Sequence, residues 1–386
     1  MRHVIPTALW IFRLSGGNRE RKDSMREVVE LTKALISFQS VHGKPEEISR
    51  CADFIADYFR NRHIACRRVE HGGIPSLIVC PADGRFPVLL MSHIDVVDAP
   101  SELFTPVERD GKLYGRGSID DKYAVALSMV LVREECERLS RSGKGQDDLS
   151  FGILITGDEE VGGINGARKA LGLIDTKFCI ALDGGSVGKI VTREKGIWRL
   201  KLIARGKTAH GARPWLGENA IEALMDDYAL IRRLFAPPAD STGHWHRTLN
   251  LGIIRGGTSI NQVPDYAEAR LDIRYTEGDD LDELLQQMRA VIGGELQEES
   301  RDPLFVGGDS PYLDLLLTVA GGAVTGTAHG ASDARHLSSY GTQGVVWGAD
   351  GDMSQHAPDE HVDIASIGRL YDILRRFLEE SEALSL

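Results

Sequence analysis

The chain has little cysteine and no long apolar run, and each shortage excludes a class of protein. Its 386 residues include five cysteines, an odd number with no Cys-x-x-Cys pair. This argues against a disulfide framework and favours free thiols in a reducing, cytoplasmic compartment. No apolar segment is long enough to cross a bilayer. The formal net charge of −12 disfavours nucleic acid and anionic membranes as the main partners.

The remaining composition is that of a globular protein, with 42% hydrophobic and 26% charged residues. The length exceeds what one hydrophobic core usually organises, so two domains are expected. Residues 1–24 are set apart as a leader. The apolar run Val4–Phe12 contains Pro6 and lacks a small-residue cleavage site, which disfavours a signal peptide. The first clear amphipathic helix begins at Met25, an alternative start of the protein.

The most informative motif is His93-Ile94-Asp95, which follows the apolar run 87–92. Side chains alternate along a strand, so His93 and Asp95 point the same way. An imidazole that binds a metal needs its second nitrogen held, and Asp95 is suitably placed to hold it. Taken alone, the motif also fits a histidine paired with a surface acid.

A second motif, Gly115-Arg116-Gly117-Ser118-Ile119-Asp120, forms a turn before a helix predicted over 123–139. Asp120 near a helix N-terminus has an ordinary explanation as a cap. It also suits a carboxylate that bridges two cations, because each of its oxygens can face one metal. Asp121 is interpreted as a plain cap or a salt-bridge partner.

Further acids follow other apolar strands. The strand 149–156 ends in Asp158-Glu159-Glu160, the strand 178–182 ends in Asp183, and a turn-rich loop near the C-terminus supplies His356. Three adjacent carboxylates repel one another unless cations neutralise them, although a solvated acidic loop is the alternative. Sites in α/β sheets gather at the carboxyl ends of strands, so these segments are predicted to converge.

Together these motifs resemble the M20 family of zinc metallopeptidases, which includes acetylornithine deacetylase, succinyl-diaminopimelate desuccinylase, carboxypeptidase G and aminoacylase. The resemblance runs from about Met25 to the C-terminus. It implies a site with two Zn²⁺ per subunit, for which Co²⁺ or Mn²⁺ are possible substitutes. The implied roles are His93 and Asp183 on one metal, Glu160 and His356 on the other, Asp120 as the bridge, Asp95 orienting His93, and Glu159 as the general base.

The residue types fit that chemistry independently of the family. Two divalent metals lower the pKa of a shared water and polarise a carbonyl, and an unligated carboxylate can move the proton. The expected substrate is a small N-acyl amino acid or short peptide with a free carboxylate. Deacetylase, carboxypeptidase, dipeptidase and desuccinylase activities all stay open. A catalytically silent metal-dependent binding protein is disfavoured because Glu159 and every ligand position are filled.

Residues 194–294 have a different pattern, a β-α-β-β-α order typical of a ferredoxin-like insertion. The predicted fold is therefore an α/β/α sandwich catalytic domain, residues 25–193 and 295–386, interrupted by an α+β lid at 194–294. In the resembling family this insertion also mediates dimerisation, so a homodimer is expected.

The resemblance extends to substrate contacts. His210, in Gly206-Lys207-Thr208-Ala209-His210-Gly211, matches a histidine that helps to stabilise the oxyanion, often from the partner subunit. A solvated loop histidine is the alternative. Asn261 and Arg274 match insertion positions that contact substrate, and a guanidinium suits a carboxylate. Arg274 as an exposed strand-face charge is the alternative. A loop near the substrate carboxylate adds Gly330, Ser332 and Arg335.

One rival motif is Gly184-Gly185-Ser186-Val187-Gly188, which matches the nucleophile elbow of serine hydrolases. That elbow requires a helix directly after the serine, whereas residues 189–192 look extended. Two departures from the family pattern also stand out. Tyr123 lies where relatives generally have glycine. Asp183 occupies a position that is Glu in desuccinylases, which tilts the prediction modestly away from that activity.

Overall fold

A computed structural model describes residues 8–237 and 243–385, with side chains from residue 19 to 384 around the same gap. Contacts divide the chain into two compact units. The first contains the chain up to Thr192, Gly307–Gly326 and the chain from Ser332 onward, and the second contains Arg193–Val306 and Thr327–Ala331. Residues 1–7 of the predicted leader lie outside the described residues.

In the part that the structure describes, the first unit begins with four α-helices and eight strands. They are α1 (Ala8–Ile36), α2 (Pro45–Arg60), β1 (Arg67–His71), β2 (Ile74–Val79), β3 (Val88–His93), β4 (Val107–Arg109), β5 (Lys112–Tyr114), α3 (Tyr123–Arg141), β6 (Phe151–Thr156), α4 (Ala167–Ala170), β7 (Phe178–Ala181) and β8 (Lys189–Glu194). The helix expected from Met25 thus begins earlier, at Ala8. The extended β8 after Ser186 removes the serine-hydrolase interpretation, because no helix follows that serine.

Among its described residues, the second unit contains six strands joined by two α-helices, followed by the short β15. They are β9 (Gly196–Arg205), β10 (Ala209–His210), α5 (Ala220–Arg233), β11 (Thr248–Gly256), β12 (Gln262–Val263), β13 (Tyr266–Tyr275), α6 (Leu281–Val291), β14 (Glu295–Asp302) and β15 (Phe305–Val306). An antiparallel sheet runs in the order β11-β13-β9-β14. The predicted insertion ended at residue 294, whereas β14 adds a fourth strand and carries this unit to Val306.

The chain then returns through α7 (Pro311–Ala320), β16 (Val324–Ala328), β17 (Gln343–Val346), β18 (His361–Asp363) and α8 (Ile364–Ser381). In the first unit the main sheet runs β1-β2-β6-β3-β7-β17-β8. Its centre, β6-β3-β7-β17, is parallel. Every residue of β3, β6 and β7 is buried, as expected of parallel strands covered on both faces. Their carboxyl ends therefore lie side by side.

Helix α3 packs centrally against this sheet. Its first ten residues, Tyr123–Val132, are all buried, which is the pattern of a helix surrounded by other elements rather than one that lies on the surface. The segment that carries Asp120 leads directly into α3. The strand ends and this helix start are thus the elements that bring the predicted ligands together.

All five cysteines carry free thiols; Cys51 and Cys179 are buried and the other three are half-buried. Among the described residues, no helix combines the length and the apolar character that crossing a bilayer demands.

Candidate metal centre and active site

The first cluster surrounds His93 at the carboxyl end of β3. The imidazole is 1% exposed, and its Nε2 lies 3.0 Å from Asp120 Oδ1 and 3.8 Å from Asp183 Oδ1. Its Nδ1 donates to the main-chain oxygen of Asp95 at 3.0 Å. Because Nδ1 carries that proton, neutral His93 turns a bare Nε2 towards two carboxylates. Only a cation, either a proton or a metal ion, satisfies this arrangement.

The second cluster surrounds His356, in the loop that follows β17. Its Nε2 lies 3.1 Å from Asp120 Oδ2 and 3.3 Å from Glu160 Oε2. The imidazole is about half exposed, and the residue has a φ of 64°. The two oxygens of Asp120 thus face one imidazole each. This is the position expected of a carboxylate that bridges two cations.

The donor set fits two metal ions of the zinc type. Four nitrogen or oxygen ligands about 2.0 Å from an ion in tetrahedral geometry lie about 3.3 Å from one another. The observed separations, 3.0 to 3.8 Å in one cluster and 3.1 to 3.3 Å in the other, agree with that spacing. Imidazole and carboxylate donors suit zinc, cobalt and manganese alike.

The pKa shifts in the two clusters also favour bound cations. Burial opposes charge on His93, yet hydrogen bonds to Asp120, Asp183 and Asp95 raise its pKa well above the usual value. Hydrogen bonds to Asp120 and Glu160 raise the pKa of His356 to about 10. Burial opposes ionisation of Asp120, but hydrogen bonds from the two histidines hold its pKa far below the usual range. The clusters therefore have an excess of negative charge that bound cations would neutralise.

Asp95 holds the ends of two neighbouring strands. The Asp95 carboxylate lies 3.4 Å from Nδ1 of His93, whereas the main-chain oxygen of Asp95 lies 3.0 Å from the same nitrogen. The same carboxylate accepts hydrogen bonds from the backbone N–H groups of Glu159 (3.1 Å) and Glu160 (3.0 Å). Asp95 thus orients His93 mainly through its backbone, while its side chain fixes the loop that carries the two glutamates.

Glu159 lies against the first cluster and is 8% exposed. Its carboxylate is within 4.8 Å of ligand atoms of His93 and Asp183. Arg335 Nη2 donates to Glu159 Oε1 at 2.7 Å, and Arg335 Nε donates to the main-chain oxygen of Ser332 at 2.6 Å. Burial, with the nearby charge of Asp183, raises the pKa of Glu159 well above its usual value. A carboxylate of raised pKa suits a group that takes up and returns a proton.

Asp121 differs from the sequence interpretation. It is fully buried, its Oδ2 accepts from the backbone N–H of His93 at 3.4 Å, and it makes no cap at the start of α3. Its neighbour Lys122 is also fully buried, and Nζ donates to the main-chain oxygen of Phe38 at 2.9 Å. Adjacent charged residues at a helix start look like solvated caps in sequence, and no local signal distinguishes these two.

A buried ion pair between Arg116 and Glu360 was also missed. Glu360 Oε1 accepts from the backbone N–H of Gly117 at 2.8 Å, and Arg116 Nη2 donates to the main-chain oxygen of His356 at 3.2 Å. The pair therefore joins the turn before Asp120 to the loop that carries His356. Gly117 has a φ of 83°, and a Cβ there would lie 2.8 Å from Val96. The only sequence signal was that Glu360 closely follows a candidate ligand.

The predicted substrate residues fall in both units. In the second unit His210 is exposed, and the Ala212 N–H donates to its Nδ1 at 3.1 Å. Neutral His210 therefore carries its proton on Nε2, where it is a donor. Asn261 and Gly330 are exposed, and Arg274 forms an ion pair with Asp272 at 2.7 Å.

In the first unit Ser332 is buried, and its Oγ accepts from the backbone N–H of Ala334 at 3.3 Å. Arg335 lies against Glu159, as described above. The segment of these two residues thus contacts Glu159, which lies against the first cluster.

Comparison with known proteins decides the family. The model of peptidase family M20/M25/M40 matches residues 89–380. The chain belongs to this family. A probable carboxypeptidase of Aspergillus clavatus is 28% identical over 347 residues, 81% of this chain and 80% of that protein. A succinyl-diaminopimelate desuccinylase of Parvibaculum lavamentivorans is 31% identical over 319 residues, 74% of this chain and 78% of that protein.

Among solved structures, the Bacillus subtilis YxeP protein, a dinuclear metal-binding peptidase of the M20 family, superposes with a TM-score of 0.61. It is 15% identical, and the match covers 93% of this chain and 99% of that one. This M20 chain is accordingly a metal-dependent hydrolase of mixed α/β fold.

Proposed function

We propose that this M20 protein is a dizinc amidohydrolase that cleaves the amide bond of a small N-acyl amino acid or short peptide bearing a free carboxylate. The observation that carries the proposal is Asp120, whose two oxygens each face one imidazole of a histidine–carboxylate cluster. His93 and Asp183 would hold one zinc ion, Glu160 and His356 would hold the other, and Asp120 would contribute one oxygen to each. Bound zinc ions lower the pKa of a shared water and polarise the scissile carbonyl.

Glu159 moves the proton in this reaction. Its Oε1 accepts from Arg335, which leaves Oε2 to take a proton from the attacking water and to return it to the leaving nitrogen. Because Glu159 is buried and held at one oxygen, it keeps its direction between the two transfers. The adjacent Glu160 binds metal instead, since its carboxylate points to His356.

The second unit is proposed to contribute contacts to the reacting group and to the substrate carboxylate. His210 donates from Nε2 to the oxyanion that develops on the attacked carbonyl. Asn261 and Arg274 contact the substrate, and Arg274 exchanges its ion pair with Asp272 for one with the substrate carboxylate. Gly330 and Ser332 belong to the loop proposed to lie near the substrate carboxylate. Arg335 is the second anion contact proposed for that loop.

A homodimer through the second unit is part of the proposal. Strand β11 is an edge strand of the sheet β11-β13-β9-β14. Its side chains Ile253 and Ile254 are 41% and 52% exposed. Met225 on α5 is 58% exposed. Exposed apolar residues on a terminal strand are typical of a surface that pairs with another chain. Light scattering is expected to give the mass of two chains, and Ile254→Lys is expected to give the mass of one.

The experiment that tests the activity is amine release from a panel of N-acetyl, N-succinyl and peptide-capped amino acids by zinc-loaded protein, with a chelated sample in parallel. Turnover of one class that the chelator abolishes and zinc restores supports the proposal and names the acyl group. Desuccinylase activity is the second candidate, because a desuccinylase is among the relatives, and dipeptidase activity is the third. Two bound zinc ions with no turnover across the panel would favour a silent binding protein.

A further inference from the structure

Tyr123, the first residue of α3, connects three segments of the first unit through one hydroxyl group. The side chain is fully buried. Its Oη donates to the main-chain oxygen of Leu182 at 2.8 Å and accepts from the backbone N–H of Ala349 at 2.9 Å. Leu182 directly precedes the ligand Asp183, and Tyr123 itself follows the ligand Asp120 by three residues.

These bonds satisfy backbone groups that lie just beyond the end of the pairing between β7 and β17. Strands β7 and β17 are paired up to Ala181 and Val346, and the Trp347 N–H still donates to the Ala181 oxygen at 2.8 Å. The pairing of β7 with β17 ends at that point, one residue before Leu182 and three residues before Ala349. The Tyr123 hydroxyl satisfies one backbone acceptor and one backbone donor there, which would otherwise be buried without partners.

The chain provides space for this hydroxyl at Gly348. A Cβ at that position would lie 2.4 Å from Oη of Tyr123 and 2.8 Å from the main-chain oxygen of Gly184. Any side chain at 348 would therefore displace the hydroxyl. Tyr123 and Gly348 form a complementary pair, and Tyr123 is also the residue that departs from the family's usual glycine.

We infer that Tyr123 is a positioning residue for one metal: by tying Leu182 to the start of α3, it fixes Asp183 relative to Asp120 on the two sides of His93. Asp120 and Asp183 face the same imidazole nitrogen, at 3.0 and 3.8 Å, so a shift of either segment changes the cavity between them. The His356 cluster shares Asp120 but has no ligand on the Leu182 segment. The inference rests on the metal centre of the proposed function.

The test is a zinc titration of metal-stripped full-length protein against a competing chromophoric chelator, for the wild type and Tyr123→Phe. Removal of a group that orients a ligand typically weakens metal binding by about 10- to 100-fold. We expect one of the two binding steps to weaken by about 10-fold and the other to stay within about 2-fold of wild type. In a His356→Asn background, which keeps the His93 cluster alone, Tyr123→Phe is expected to weaken the remaining step. The Co²⁺ absorption spectrum gives a second readout of ligand geometry.

Tyr371→Phe is the matched control, because Tyr371 is also buried and its Oη donates to Glu134 Oε2 at 2.7 Å, with no bond to a ligand segment. It is expected to lower the melting temperature without changing either zinc affinity. Unchanged zinc binding in Tyr123→Phe, or equal weakening of both steps, would overturn the inference. If Tyr123→Phe does not fold, Gly348→Ala is the second variant: its Cβ would displace the same hydroxyl and would also press on the main-chain oxygens of Gly184 and Leu182, so it is expected to weaken the same step at least as much.

The outcome is separable from that of the proposed function. A wild-type protein that binds two zinc ions but releases no amine would contradict the function and leave the zinc comparison interpretable. An active wild-type protein whose zinc binding is insensitive to Tyr123 would contradict only the positioning role.

Discussion

The two units of the protein hold their candidate functional residues in different ways. In the first, the ligand-bearing segments are joined by buried bonds such as Asp95 to the Glu159 and Glu160 backbone and Arg335 to Glu159. In the second, His210 and Asn261 are exposed, and His210 is oriented by one local bond from Ala212. A metal site needs ligands held within tenths of an ångström, whereas a hydrogen-bond donor to substrate tolerates more freedom. The comparison predicts that substitutions in the two units separate metal binding from turnover.

The largest effect is expected from Glu159→Gln. The variant keeps the shape of the side chain but cannot accept the proton, so kcat should fall by about 10³-fold. Metal content, measured by elemental analysis, should stay at the wild-type value. Glu160→Gln is the matched contrast, because the same change one residue along removes a ligand and should lower metal content. An unchanged kcat in Glu159→Gln would exclude Glu159 as the base.

Asp120→Asn tests whether the two clusters share a ligand. An amide has only one oxygen for two cations, so both zinc affinities should fall, by more than about 100-fold for at least one of them. Asp183→Asn should weaken only one of the two zinc-binding steps. Zinc titration of the metal-stripped proteins distinguishes the two patterns. A wild-type affinity at one of the two sites in Asp120→Asn would mean that the clusters are independent.

His210→Ala should lower kcat by about 100-fold, the usual effect of removing one oxyanion donor. Zinc affinities and the melting temperature should not change, because no metal ligand depends on His210. His244→Ala, at a second exposed histidine of the same unit, is the control and should be fully active. A loss of zinc in His210→Ala would remove the distinction drawn between the units.

The smallest and most gradual effect concerns pH. The pKa of His356 in the metal-free protein is raised from 6.5 to about 10, so the folded state binds this proton more tightly than the unfolded state. That stabilisation is complete below pH 6.5 and is lost as the pH rises towards 10. Zinc binding requires the deprotonated imidazole and should strengthen by up to about 10-fold per pH unit over the same window.

The gap in melting temperature between zinc-loaded and chelated protein should therefore widen from pH 6.5 to 8.5. Differential scanning calorimetry at both pH values measures it, and His356→Asn serves as the comparison because it lacks this proton. A gap that narrows as the pH rises would contradict the assignment of His356 as a ligand.

Much of the metal centre could be predicted from local sequence pattern. Buried parallel strands appear as apolar runs, and a polar residue at the end of such a run has few structural reasons to be there, which identified His93, Glu160 and Asp183. The family resemblance then assigned roles. The chain's membership of the family and its mixed α/β fold are confirmed, whereas the individual roles stay predictions that the experiments above address.

Other features could not be read from the sequence. Asp121 looked like a helix cap but is buried beneath His93, and the contacts of Glu360 with Gly117 join residues more than 240 positions apart. The fourth strand of the second unit, β14, also depended on pairing with the distant strand β9. Such contacts leave no periodic signal, because each depends on which distant backbone groups need a partner.

The sequence by itself determined which chemistry the chain can support, since strand-end histidines and acids separated by apolar runs are sufficient to predict a metal hydrolase. Only the tertiary structure gave the distances between the donors, placed each oxygen of Asp120 opposite a different imidazole, and joined the segment before Asp183 to the start of α3 through Tyr123. The sequence specifies the type of each side chain, whereas the distances between the histidine and carboxylate donors arise from long-range packing and hydrogen bonding of the backbone.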